Sequence, residues 1–573
     1  MKPSLLELAK GCLKPAADYA YSLQKADGHW YTELRSNISF TAQYVCLREI
    51  VGTSLGPSQD GNHFRKWLLA QQTGDGSWTL APGEPGDLSI SVEGYFALKL
   101  LGVPVDDEPM RRAREFILSR GGLPEVGIIT QFLLAVFGLV RWDDMAQVPA
   151  ELMLMPTWSP INVYAFAHWT RVTAVAMMVL RHHQPTFCLP TELLSPGKTF
   201  LEELYPDVTD QQLRFYPTIA GLWGSGDYGR CIAAVADRAV GLIDPIVKRT
   251  VVRKLALSRC VQFMLKRQTQ SGYASFWPAN FNCVLALYCE GYKFNDPAIQ
   301  QLLNAIETIY IWKDEDGMRN QVTCGPSWDT ALIALGLSGS GLGDGRLDKT
   351  VDWFKSTQIV HIRGDYEVQV PGLSPGGWAF QYNSYFLNLF PFGQGNEFHD
   401  APVPDVTARI LEGLGFVLDL QRRAGERERL PRGLIDKIRE ACSGAISYLG
   451  STQDQVTGAW RSRWHVNYIN GTGSALQALA FFETFDKRVP RMIQRGLAWI
   501  KSMQRVDGGW GETLRTYKDP SLAGMGGSTT PSQTSWALLG LLSHLDPEDE
   551  AIGRGIEYLV RTQVKSTPGT LIP

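Results

Sequence analysis

At 573 residues the chain is too long for one ordinary domain and long enough for two, each with its own core. Hydrophobic residues make up 44%, aromatics 11% and charged residues 20%, and with a mean hydropathy of -0.11 this excludes an integral membrane chain and leaves a globular one, soluble or peripherally attached. A formal charge of -3 and the lack of any Lys/Arg-rich run exclude a phosphate backbone as partner, so no nucleic acid is expected.

The opening residues, MKPSLLELAKGCLKPAADYAYSLQ, hold no sustained apolar run and no small-residue cleavage site, so no secretory leader is expected. They run into a pattern of aromatic, Gln, Gly and Trp at Tyr19, Gln24, Gly28 and Trp30, which returns with the same spacing at Trp67, Gln72, Gly76 and Trp78. SVEGYFALKLLG (91 to 102) then reads as a helix, and VPVDDEP puts Asp106 and Asp107 in a helix-connecting turn. The apolar run from Ile128 to Val140 is too short to span a bilayer and reads as a buried helix. Residues 239 to 257 set apolar side chains among Lys248, Arg249, Arg253 and Lys254, which fits a helix lying at a membrane interface and equally an ordinary amphipathic surface helix.

Farther on, Phe263 with Gln268 and Trp353 with Gln358 keep only the front half of the repeat. SWDTALIALGL (327 to 337) and TARILEGLGFVLDL (407 to 420) are further helices, with Asp329 as a cap or first-turn acid. Tyr448, Gln453, Gly458 and Trp460 form a copy with one extra turn residue; Trp499, Gln504, Gly508 and Trp510 restore the full spacing, and Tyr558 with Gln563 begin one more. The nine cysteines (Cys12, Cys46, Cys188, Cys231, Cys260, Cys283, Cys289, Cys324 and Cys442) show no CxxC and no metal-ligand spacing with His, and read as reduced core residues of an intracellular protein.

The repeat fits a helix end. The aromatic packs inward, the Gly turn reverses the chain, the Gln amide bonds backbone at the start of the following helix, and the Trp lies over it. Such clamps build α/α barrels, so the fold is expected to be all-α, with the repeat residues as scaffolding and not as catalysts.

These copies resemble the QW motifs of the squalene-hopene and oxidosqualene cyclases. The likeness extends, in the family's order, through DGHWYTELRSN, GPSWDTALIALGL, PGGWAFQ, PDVTARILE, SRWHVNYINGTG, GWGETLRTYKDPSLAGMG and GSTTPSQTSWALLGLL, from about residue 16 to residue 563. The resemblance implies two α/α barrel domains, 1–30 with 311–573 and 31–310, enclosing a large apolar cavity. It implies a squalene-like polyprenoid as substrate, alkene protonation followed by successive ring closures to a hopane-type triterpene, no metal and no cofactor. It also implies monotopic membrane attachment and leaves a homodimer open.

By the same resemblance Trp169, Trp328, Phe380 and Trp464 fall at cavity-lining aromatic positions, with core packing as their alternative, and Glu93 falls in a polar wall near the end of cyclisation, where a neighbouring family Glu is replaced by Gln43. Asp143 and Asp144 match a surface loop. The family's proton donor lies in a DxDD motif that this sequence lacks, and the DCTAE-like motif of oxidosqualene cyclases is lacking as well. Asp405 and Arg409 of DVTAR occupy the positions of an Asp and a basic partner that support that donor. An Asp held by Arg is kept ionised, the wrong state for protonating an alkene. The chain also ends at VKSTPGTLIP, where the family continues with a final repeat and an aromatic-rich segment. Weak or no turnover of squalene is therefore the expectation, and a catalytically impaired homologue acting as a binding protein is the alternative. A protein prenyltransferase β-subunit shares the barrel but needs a zinc site of Asp, Cys and His, which is not evident.

Overall fold

A computed structural model describes residues 5–563 apart from 57, 160–161, 166–167, 191–198, 210–222, 224–227, 270–271, 274–275, 361–373, 381–401, 424–431 and 518. The fold is all-α, and its short strands form two antiparallel pairs, Trp78–Thr79 with Gly86–Asp87 and Ile311–Asp314 with Gly317–Asn320. The chain divides into two compact units, Met1–Thr32 with Gly325–Ile572, and Glu33–Cys324.

In the first unit an inner layer of helices, Pro326–Gly339, Pro404–Arg423, Tyr468–Leu479 and Pro531–Leu542, packs neighbour on neighbour. Every residue of Tyr468–Leu479 is buried, as a helix with apolar or small side chains all round requires. The outer helices Leu347–Thr357, Arg432–Thr452, Val489–Ser502 and Glu550–Thr562 bury only one face, and each backs the inner helix before it. Proline at the start of inner helices, Pro326 and Pro531, fixes φ where no amide donor is needed. The second unit repeats the theme with pairs such as Leu88–Leu100 on Glu108–Ser119 and Trp277–Cys289 on Pro297–Ala305.

The repeat residues form the clamps between these layers. The amide of Gln504 donates to the carbonyls of Gly508 (2.8 Å) and Ala551 (2.7 Å), and the indole N–H of Trp510 donates to Ile500 O at 2.7 Å. Gln453 with Trp460 and Gln72 with Trp78 bond in the same way, to Met492 and Leu449 and to Pro109 and Leu68. The Gln therefore reaches carbonyls of the next outer helix, not free N–H groups, because its NH2 is the end that finds unsaturated acceptors there. The Trp ties back to the helix just left. Glycine is required at the turn: Gly508 has φ +90° and its missing Cβ would lie 2.4 Å from Arg554 O.

Two repeat expectations change. Tyr19 is exposed, with Tyr21 taking the buried place beside Trp30. The copy at Trp353 and Gln358 is complete: Gln358 donates to Gly376 O and Ala441 O (2.7 and 2.8 Å), and Trp378 closes it by donating to Phe354 O at 2.8 Å. The chain between Gln358 and Gly376 had separated the two halves of the motif.

The run beginning at Ile128 is a buried helix, Ile128–Ala135, and no helix among the described residues is long and apolar enough to cross a membrane. Six cysteines are buried, whereas Cys12 and Cys188 are exposed and Cys289 is half-buried, so the expectation of a uniform set of core thiols does not hold.

Candidate active site

In the first unit the clamps deliver side chains to one place. Two residues past Trp378 comes Phe380, and two and four residues past Trp460 come Ser462 and Trp464. The Phe380 and Trp464 rings lie 4.4 Å apart, and the Phe380 ring sits where a Cβ on Gly325 would be, 2.5 Å away, so glycine at the mouth of helix Pro326–Gly339 makes room for it. From the first turn of that helix Trp328 meets the His465 ring at 5.1 Å, and Trp536 of helix Pro531–Leu542 meets the same ring edge-on at 5.5 Å. Three of the four expected aromatics are thus gathered around the segment 462–465. The fourth, Trp169, is carried on helix His168–His183 of the other unit, and its side chain lies outside the described residues.

Asp405, in the first turn of helix Pro404–Arg423, is fully buried. Ser462 Oγ donates to its Oδ2 at 2.6 Å and accepts the amide of His465 at 3.3 Å. His465 Nδ1 stands 3.8 Å from the same Oδ2, while Asp405 Oδ1 has no hydrogen-bond partner among the described residues, nor has His465 Nδ1. Arg409 departs from the expected pairing. Its guanidinium, one turn along the helix, bonds Glu412 (2.7 Å) and Gln477 (3.1 Å) instead of Asp405; the buried i+3 carboxylate lies on its own helix face. The basic group facing Asp405 is His465, which was not among the expected residues: a single His beside a Trp in a loop carries no spacing signal.

The segment bearing His465 is firmly held. Tyr517 Oη donates to His465 O at 2.6 Å, and Asn467 Nδ2 donates to Thr516 Oγ1 at 3.2 Å. The buried Glu512, two residues past Trp510, accepts from the amides of Asn467, Ile469 (3.0 Å) and Gly524 (2.8 Å). Its charge sits at the N-terminus of helix Tyr468–Leu479, where the free amides and the helix dipole favour an anion. Asp329 stands in the first turn as expected, but its carboxylate accepts the Thr32 amide at 2.8 Å and so holds a distant segment instead of capping its own helix.

In the second unit Glu93, on helix Leu88–Leu100, is the centre of a closed network. Gln43 Nε2 donates to its Oε2 at 3.1 Å, Thr130 Oγ1 to its Oε1 at 2.6 Å, and Trp277 Nε1 to Gln43 Oε1 at 2.9 Å. Burial pushes the Glu93 carboxyl up to about 7 against the pull of the Thr130, Gln43 and Ser39 hydrogen bonds. Gln43 thus supports Glu93 directly. Asp107 precedes helix Glu108–Ser119 at its cap position, and Asp143 and Asp144 lie in a short 3-10 turn. No group of three or more His, Cys, Asp or Glu able to hold a metal occurs among the described residues.

Residues 239–257 form two helices, not one: Tyr228–Val247 ends and Val251–Arg267 begins around Lys248–Thr250. Leu242, Ile246 and Val251 are 81%, 71% and 80% exposed at this corner. Arg253, expected at the interface, is instead buried and bonded to both oxygens of Glu151 and to Asp244.

Residues 13–315 match the squalene-hopene cyclase N-terminal domain, and residues 324–387 and 383–570 match the squalene-hopene cyclase C-terminal domain. A terpene cyclase-glycosyl transferase fusion protein of Humicola fuscoatra is 34% identical over 99% of this chain and 48% of its own length. The chain thus spans about half the length of that relative. A squalene hopane cyclase of Aspergillus fumigatus is 34% identical over 97% of this chain and 84% of its own, and a squalene-hopene cyclase of Alicyclobacillus acidocaldarius is 32% identical over 96% and 90%.

Proposed function

The chain belongs to the squalene-hopene cyclase family, and we propose that it is a triterpene cyclase that closes squalene into a pentacyclic hopane-type product, hopene or hopanol. The observation that carries this reading is the gathering of Trp328, Phe380 and Trp464 around segment 462–465, whose Ser462 and His465 meet a fully buried carboxyl, Asp405, one oxygen of which has no hydrogen-bond partner among the described residues. A migrating carbocation is stabilised by aromatic faces, which offer negative charge without a lone pair that would trap it. A proton for the first step has to come from an acid shielded from water, since bulk water would take the proton and quench the cation. Both requirements are supported by groups within one unit. An apolar substrate of this kind partitions into lipid, and the exposed Leu242, Ile246 and Val251 support peripheral attachment through 239–257.

The test is incubation of the purified chain with squalene in detergent, without metal or nucleotide, and analysis by gas chromatography and mass spectrometry. A cyclic isomer of squalene, or its hydrate, is the expected product, formed slowly because the DxDD motif is lacking; quantitative recovery of linear squalene after prolonged incubation would sink the reading. The absence of DxDD favours a second reading, a homologue that binds a polyprenoid without closing it, for which saturable squalene binding without product would be the signature.

A further inference from the structure

We propose that Asp405 is the acid that begins ring closure and that His465 reloads it with a proton; the proposal rests on the cyclase reading above. The carboxyl is completely buried, yet it is only half satisfied: Oδ2 accepts the Ser462 hydroxyl, whereas Oδ1 has no partner among the described residues. Leaving a buried carboxyl oxygen without a partner is costly to the folded state. A proton on that oxygen is free to leave toward a substrate. The expectation that Arg409 would hold Asp405 as a permanent anion is removed, because Arg409 is engaged by Glu412 and Gln477.

The proton balance closes within the site. The π electrons of a terminal C=C bond form a new C–H bond with the Oδ1 proton, the O–H electron pair stays on the carboxylate, and a tertiary cation is left on the neighbouring carbon. The new carboxylate charge is met by the Ser462 hydroxyl at 2.6 Å and by the His465 ring at 3.8 Å. Closing the second gap by about 0.8 Å brings the pair into hydrogen-bond range, a tightening common when a site is loaded. The His465 ring is held in place between Trp328, tilted against it at 5.1 Å, and Trp536, edge-on at 5.5 Å. Reloading needs a path to water. Asp405 has none, with 0% of its side chain exposed, whereas 31% of the His465 side chain is exposed, so the imidazole relays a proton from solvent through Nδ1 to Oδ2, the oxygen it faces, and a half-turn of the carboxyl about its Cβ–Cγ bond brings that proton to the position Oδ1 held.

Among the described residues, Glu512 is committed to three backbone amides, Asp329 to Thr32, Glu412 to Arg409, and Tyr517, which faces Asp405, Arg461 and Glu512, to the carbonyls of Arg463 and His465; Arg463 lies over the Trp464 ring. Ser462, whose oxygen joins the His465 amide to the carboxylate, is the positioning residue.

Squalene turnover by the full chain is compared with that of Asp405→Asn, His465→Ala and His465→Gln, each checked for native circular dichroism. Asp405→Asn is expected to lose at least about a thousandfold, and His465→Ala about ten- to a hundredfold, with recovery of the His465→Ala loss when imidazole is added to the buffer. His465→Gln, which fills the space without a mobile proton, is expected to stay slow and to resist rescue. An active parent with a fully active Asp405→Asn variant would overturn the acid; an active parent whose His465→Ala loss ignores imidazole would overturn the relay. A parent that converts no squalene at all refutes the cyclase reading itself, and the proposal with it.

Discussion

Asp405 and Glu93 are both buried carboxyls, one in each unit, and their surroundings differ in kind. Glu93 has a donor on each oxygen, and the chain from Trp277 through Gln43 to Glu93 leaves no acceptor idle. Among the described residues Asp405 has a donor on one oxygen and none on the other, and it faces an imidazole whose Nδ1 is equally idle and whose ring packs against Trp328 and Trp536. A closed polar network contributes a defined core; a half-open one costs stability. The difference predicts where damage will be felt: in folding and its pH dependence around Glu93, in turnover around Asp405.

Four substitutions sharpen or break that contrast, in falling order of their effect on stability. Trp277→Ala removes a fully buried indole and the donor that orients Gln43, and is expected to cost about 3–5 kcal/mol in denaturant unfolding. The second concerns pH. The folded Glu93 carboxyl titrates at about 7 against an ordinary value of 4.5, so between those values the folded protein binds more proton than the unfolded one, and stability falls as pH rises through the window. Glu93→Gln should remove that slope, so that the stability difference between parent and variant changes by roughly 3 kcal/mol from pH 4.5 to 7 and by nothing further above it. A variant with the parent's pH profile would show that burial is not what holds Glu93 up.

Third, Thr130→Val takes one donor from Glu93 and should cost about 1–3 kcal/mol, read as a lowered melting temperature. Fourth and smallest, Asp405→Asn should leave stability within about 1 kcal/mol, because the Ser462 hydroxyl can still donate to the amide oxygen and only one bond is at stake. A large loss of stability there would place Asp405 with Glu93 as a structural carboxyl.

How much of this was legible depends on the distance along the chain over which the signal is written. The clamps of Gln72, Gln453 and Gln504 are local patterns, and they were readable with the helices they join. The Gln358 clamp was half-hidden because its Gly376 and Trp378 lie beyond an intervening stretch, so only the hydrogen bonds reveal it. Asp405, Trp328, Phe380 and Trp464 were found through motif context. Their grouping was not, since Asp405 meets Ser462 across fifty-seven residues. The family resemblance pointed to Arg409 as the partner, but Glu412, three residues along the same helix, holds it instead. Glu512 escaped notice for a related reason: its three amide partners are backbone groups, which have no letter in the sequence.

The completed clamp at Gln358 has a bearing on how this chain tolerates change in length. At its mouth Ile359 N–H bonds Gly377 O at 3.0 Å and Gly376 N–H bonds Ile359 O at 2.7 Å, a two-rung ladder that closes the excursion independently of what fills it. Closing a longer loop adds only about 0.6 kcal/mol for each doubling of its length. Inserting or removing residues between those rungs is therefore expected to leave Trp378 bonded to Phe354 and Phe380, two residues later, against Gly325, a result that an unchanged melting temperature of length variants would check.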